Sequence, residues 1–261
     1  MATARCWLIL ALALTSLNAL AQTKKYHHNV FWGRVILADN ITKRLRTELW
    51  IQKRTQDTEP GSNMFDADQF DSYWLWFTYS VNKNLKVSLS PFGYFESYVL
   101  YTNPSDLERS PVKEFRYTLR IENEQKFKFI NYSNRYSFEY RTRDLSNTGN
   151  YEPNWRFRYM ARFEKPIKGD WLNDKAFSVI AYDEIMLQFG KAVKDNPNVF
   201  DQNRIYLGVS YQLFDNIKIA PGYLFTIQQR PSGKEFDYIN TFWVVLTFDN
   251  VVSQFIPKQK V

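Results

Sequence analysis

From Gln202 to Ile227 the chain alternates between apolar and polar residues, with a break only at Asp215-Asn216. Ile205, Leu207, Val209 and Tyr211 share one face, and Tyr206, Gly208, Ser210 and Gln212 the other. After the break, Ile217, Ile219, Tyr223, Phe225 and Ile227 resume the pattern. Successive side chains of a strand point to opposite sides, so this is a hairpin with one apolar face, turned by residues that tolerate a tight bend. The same period covers almost everything after residue 28, and no stretch has a helical period. An all-β chain with one apolar face per strand has two main solutions. In a soluble sandwich that face is the core; in a membrane barrel it meets lipid and the polar face turns inward.

Strands are predicted at about 29–38, 43–54, 71–81, 85–99, 112–123, 126–143, 154–165, 176–190, 202–213, 216–229 and 236–248. Short connections, at 39–42, 82–84, 124–125 and 215–216, alternate with long ones, at 55–70, 101–111, 144–153 and 191–201. Short turns on one rim and long loops on the other are the habit of outer-membrane barrels. Such single-chain barrels have even strand numbers, so ten or twelve strands are expected from a pattern that shows eleven.

The first residues favour the membrane reading. Arg5 is the only charge before Lys24, Cys6 to Leu17 is an apolar core, and Ala19 to Ala21 is a small-x-small cleavage site. This is the pattern of a secretory signal peptide over 1–21, leaving one domain over 22–261. Its removal takes away Cys6, the only cysteine, and with it any disulfide or thiolate chemistry. A mean hydropathy of −0.46 argues against helical spans but fits a barrel, where every second residue meets lipid. The 46 aromatics suit girdles at the two membrane interfaces. The charge of +7 is spread along the strands rather than clustered, which together with the exported address speaks against nucleic acid.

On the polar faces, basic and acidic residues interleave. Arg116, Arg120 and Glu122 oppose Phe115, Tyr117, Leu119 and Ile121. Arg135, Glu139 and Arg141 oppose Tyr136, Phe138 and Tyr140. Arg156, Arg158, Arg162 and Glu164 oppose Trp155, Phe157, Tyr159 and Phe163. Arg46 and Glu48 lie on the polar face of the second strand, and Glu184 and Arg204 on later ones. If the apolar faces meet lipid, these fourteen residues are enclosed as a lumen charge network. Such a network either fills a small barrel with salt bridges or, because Arg outnumbers Glu, offers a passage to an anionic solute.

No catalytic or metal constellation stands out, and no cofactor is expected. His27 and His28 are adjacent on a strand and point to opposite faces, so at most one joins a given site. Asp66, Asp68 and Asp71 lack the spacing of a calcium loop and read as a solvated acidic loop. A G-x-S-x-G elbow and an H-E-x-x-H helix are both absent from the sequence.

The stretch FDQNRIYLGVSYQLFDNIKIAPGYLF, Phe200 to Phe225, resembles the closing signature of the family called domain of unknown function 2490. FWGRVILADNITKRLRTELWIQKRTQ, Phe31 to Gln56, resembles that family's opening hairpin. The resemblance implies an outer-membrane β-barrel of the Bacteroidota type and no particular activity. Arg54, Gln202, Asn203 and Arg204 are the polar residues inside the matching stretches.

The expectation is an all-β, closed antiparallel transmembrane barrel of 10–12 strands in the outer membrane of a Gram-negative bacterium. Its partners would be outer-membrane lipids and a small anionic solute, and its role structural or that of a narrow channel, not enzymatic. The alternatives are an outer-membrane lipid hydrolase and a soluble exported β module that binds an apolar ligand.

Overall fold

The computed structural model describes residues 24–59, 62–168 and 176–255. The predicted signal peptide lies outside them. Eleven strands follow one another: β1 (Lys24–Asn40), β2 (Leu45–Gln56), β3 (Ala67–Ser80), β4 (Leu85–Ser97), β5 (Val112–Lys126), β6 (Asn131–Asp144), β7 (Glu152–Lys168), β8 (Phe177–Gly190), β9 (Phe200–Phe214), β10 (Ile217–Gln229) and β11 (Glu235–Phe248). Each pairs antiparallel with its neighbours in sequence, and β1 closes on β11 to form a barrel.

The closing pair is parallel, in register from Lys24↔Glu235 to Leu37↔Phe248. This corrects two expectations, the even strand count and the wholly antiparallel wall. An odd number of up-and-down strands leaves the first and last running the same way, so the barrel closes only through a parallel seam. Parallel pairing is slightly weaker per residue, and side chains reinforce it here. His28 Nε2 lies 2.9 Å from Asp237 Oδ1, and the Tyr26 hydroxyl donates to Glu235 at 2.8 Å. The two histidines do point to opposite faces: His28 is buried inside, and His27 packs on Tyr238 outside.

The turns follow from their residues. Asn82 Oδ1 accepts from the backbone N–H groups of Asn84 and Leu85, and Thr42 Oγ1 from those of Arg44 and Leu45. These are the side-chain-closed turns that Asn and Thr favour. The β5–β6 turn lies at 127–130 rather than at the expected 124–125. Glu124 stays in the strand because its carboxylate accepts from Asn131 at 2.6 Å and from Lys86 at 2.9 Å. Phe127 and Phe129 are left exposed on the short-turn rim.

The strand faces divide as the alternation dictates. Ile205 and Leu207 are 52% and 60% exposed on the outside, whereas Tyr206 is 5% exposed on the inside. Tyr206 lies over the paired glycines Gly208 and Gly222, where an added Cβ would come within 2.2–2.3 Å of its hydroxyl. Its ring stacks on Tyr182 at 4.8 Å. The outer apolar face continues around the wall through Leu49, Tyr73, Leu89, Leu119, Phe138, Phe163, Ile185, Tyr223 and Phe242. The polar face is therefore enclosed. The tryptophans depart from the girdle expectation: of the described ones only Trp155 is outward, while Trp32, Trp50, Trp74, Trp76 and Trp243 pack inside. Phe and Tyr supply most of the outer aromatics.

A candidate anion site in the barrel lumen

The interior has a salt-bridged wall and an aromatic wall. On β5 to β9, four buried carboxylates link a chain of arginines. Glu114 accepts from Arg116 Nε at 2.8 Å and from Arg141 Nε and Nη2 at 2.8 and 2.6 Å, with Arg143 Nε at 3.6 Å. Glu139 accepts from Arg156 Nε at 2.7 Å and Arg158 Nη1 at 2.9 Å, with Arg116 Nη1 at 3.6 Å. Glu184 receives Arg158 at 2.8 Å and Arg135 at 2.9 Å, and Arg204 stands 3.9 Å away. Asp201 takes the remaining arm of Arg156 at 3.2 Å. Register explains part of this, since Glu139 lies opposite Arg156 and Glu184 opposite Arg204. Most of the rest is diagonal between neighbouring strands, but two pairs skip a strand: Arg135 of β6 reaches Glu184 of β8, and Arg156 of β7 reaches Asp201 of β9. Charges taken from water in this way hold only because each finds partners with good geometry.

Of the fourteen residues expected in the network, Arg116, Arg135, Glu139, Arg141, Arg156, Arg158, Glu184 and Arg204 belong to this chain. Arg46 and Glu48 pair with each other at 2.7 Å toward the short-turn rim, where Arg46 also meets Asp249. Arg162 pairs with Glu164 on its own strand. Glu122 faces inward opposite Arg135, but Arg135 turns to Glu184 instead. Arg120 has no carboxylate partner among the described residues.

The alternation pattern misses Glu114, although it lies within the predicted 112–123 strand, and Asp201, one residue before the predicted 202–213 strand. It also misses Arg34, whose inward neighbours Trp32 and Ile36 are apolar, and Arg54 stands out only through the family resemblance.

These last residues define the second wall. Arg54 lies with its guanidinium carbon 3.6 Å from the Trp32 ring centre and 3.9 Å from that of Phe70. Arg120 sits 3.9 Å over Trp76. Arg34 sits 4.6 Å over Trp50 and 5.0 Å over Trp243, and its Nε donates to Gln52 at 2.9 Å. None of the three has a carboxylate partner among the described residues. Stacking holds a guanidinium by its face and leaves its N–H edge free to donate in plane.

Both walls border a cavity of about 710 Å³ that runs from the long-loop rim, at Tyr98, Asp195 and Arg230, to mid-barrel at Arg34, Trp50 and Arg162. Twelve arginines line it against the carboxylates of Glu184, Asp195, Asp201 and Asp237. Even with Glu114 and Glu139 behind the lining, the surplus is positive.

The 98–111 connection folds over the mouth. Leu100 is buried against Val30, Trp32 and Ile239. Gln56 holds the connection from both sides, accepting from Tyr101 N at 3.0 Å and donating to Val99 O at 2.9 Å. Asp106 fixes its far half, accepting from the Thr102 backbone and hydroxyl at 2.9 and 2.7 Å and from Asn103 N at 3.2 Å. Burial works to raise the Asp106 pKa, but these hydrogen bonds and the nearby Arg109 outweigh it and hold the carboxyl below its ordinary value. Ionised Asp106 thus stabilises the connection at neutral pH, and that contribution is lost as pH falls through the depressed pKa. Asp106→Ala removes hydrogen bonds to a charged group, worth about 1.5–3 kcal/mol. It is expected to speed proteolytic nicking within 98–111 about tenfold or more at pH 7, and the difference from the parent should shrink in acid. Asp68 and Asp71, expected in a solvated acidic loop, lie on β3 beside β2, and both meet Lys53, at 2.7 and 3.1 Å.

Comparison with known proteins adds a family and a set of distant folds. The profile of a family described as a protein of unknown function, DUF2490, matches residues 29–237. No curated protein matches the sequence. A bacterial polysaccharide outer membrane secretin aligns over 78% of this chain and 64% of its own, at 10% identity and a TM-score of 0.46. The chain thus spans less than two thirds of that protein. The NanC porin aligns over 84% of this chain and 96% of its own, at 10% identity and a TM-score of 0.48. An OmpT of Vibrio cholerae lacking loop L8 aligns over 70% and 56%, at 10% identity and a TM-score of 0.36. No residue role carries over from these three.

Proposed function

The chain belongs to the DUF2490 family, and from the geometry of its lumen we propose that it is an outer-membrane barrel that binds small anionic solutes and admits them through a narrow passage. The observation that carries this reading is the set of three arginines, Arg34, Arg54 and Arg120, seated on aromatic rings without a carboxylate partner among the described residues. A purely structural filling has no need of uncompensated guanidiniums, because each buried charge costs several kcal/mol unless paired. An anion passing through supplies the missing charge.

The apolar outer belt supports a lipid environment, and the alternation of short turns and long loops supports an outer membrane with the long loops outside. The reading is of a binding and conducting barrel rather than an enzyme. His28, the histidine on the inner face, is engaged by Asp237, which also holds Arg230 at 2.6 Å.

Planar bilayers test this. Under a potassium chloride gradient the reversal potential is expected to report a several-fold preference for chloride. The triple variant Arg34→Gln, Arg54→Gln, Arg120→Gln should lose most of it. Absent conductance, or a preference for potassium, would contradict the proposal.

A further inference from the structure

We infer that the cavity is a binding site for a small organic acid, a carboxylate on a skeleton bearing further oxygen acceptors and an apolar face. This rests on the anion-preferring reading of the lumen and goes beyond it to the class of ligand.

The first observation is the polarity of the unpaired groups. Eight side-chain N–H groups that line the cavity have no acceptor among the described residues, including those of Gln52, Trp74, Gln229, Arg54 and Arg120. Gln52, Trp74 and Gln229 are themselves at most 6% exposed. The Gln52 amide is oriented by Arg34, which takes its oxygen and leaves its nitrogen unpaired. The buried amide oxygens left unpaired, on Asn131 and Asn154, lie outside the cavity. A wall of donors selects a ligand rich in acceptors, and leaving such donors unmatched is costly.

The second observation is their spread. Gln52 and Arg54 are on β2, Trp74 on β3, Arg120 on β5 and Gln229 on β10. Eleven tilted strands about 4.8 Å apart put opposing backbones roughly 20 Å from each other. After the side chains reach inward, an inorganic oxyanion meets one cluster of donors, whereas an organic acid spans several. About 710 Å³ lies within the usual range of small-molecule sites, ~300–1,000 Å³. The third observation is the aromatic wall. Arg54 and Arg116 cover Phe70 and Phe95, but the half-buried Tyr182 and Trp243 line the same cavity and offer apolar ring surface to the ligand body.

Tryptophan fluorescence and calorimetry of the detergent-folded protein test the inference, with sodium glucuronate, glucose and sodium sulfate as probes. Glucuronate is expected to bind at least tenfold more tightly than either of the others. Arg54→Gln and Arg120→Gln, on β2 and β5, should each weaken it about tenfold, and Trp74→Phe several-fold. Retention of the heat-sensitive electrophoretic shift reports that each variant is folded. Equal affinity for sulfate and glucuronate would overturn the organic-acid assignment and leave the anion preference standing. Equal affinity for glucose and glucuronate would overturn both.

Discussion

Glu139→Gln is expected to destabilise the barrel by about 3–5 kcal/mol, the usual cost of stranding a buried charge. Glu139 is fully buried and accepts from Arg156 and Arg158, with Arg116 close by. The neutral amide keeps the shape but removes the counter-charge and puts an N–H₂ group where an acceptor stood. Three guanidiniums then face one another, and the chain from Glu114 to Glu184 is cut at its centre. Urea unfolding in liposomes measures the loss. Glu122→Gln is the control: it lies on the same inward face without an ion-pair partner among the described residues, and its change should fall within about 0.5 kcal/mol. Replacing Glu139 and Arg158 together with leucines should cost less than the single change, because Arg156 keeps Asp201, Arg116 keeps Glu114 and Glu184 keeps Arg135.

Leu207→Arg is expected to cost about 2–4 kcal/mol in a bilayer, the penalty of a lipid-facing arginine near the midplane. Leu207 stands in the middle of β9 on the outer face. If that face met water, the substitution would be near neutral. Folding yield and unfolding midpoint in liposomes separate the two cases, and Leu207→Phe should leave both unchanged.

Much of this fold is written in local alternation. Period 2 gives each strand and its two faces, and so most of the inward charges, because face is a property of neighbouring residues alone. Closure is not local. Nothing in β1 or β11 by itself says that they pair, or that they pair parallel, so the pattern shows eleven strands while the rule for single-chain barrels suggests ten or twelve. Partner choice across the lumen is hidden for the same reason: Arg135 faces Glu122 in register yet bonds Glu184 two strands away. Glu124-Gln125 is polar enough to predict a turn, whereas Phe127 to Ile130, which form the β5–β6 turn, are mostly apolar at the rim. The aromatic-seated arginines were the hardest to read. Trp32, Arg34 and Ile36 share an inward face, and a rule that sends apolar residues to lipid assigns such a face to neither side.

The central claim is that the Ile205 face meets lipid and the Tyr206 face encloses the charged lumen. The chain after residue 21 has no cysteine, so single cysteines at Leu207 and Ser210 take a bimane label cleanly. In liposomes with a quencher on the lipid chains, bimane at position 207 should be strongly quenched and bimane at 210 left bright. Quenching at 210 rather than 207, or at neither position, would contradict the membrane barrel and return the apolar face to a buried core.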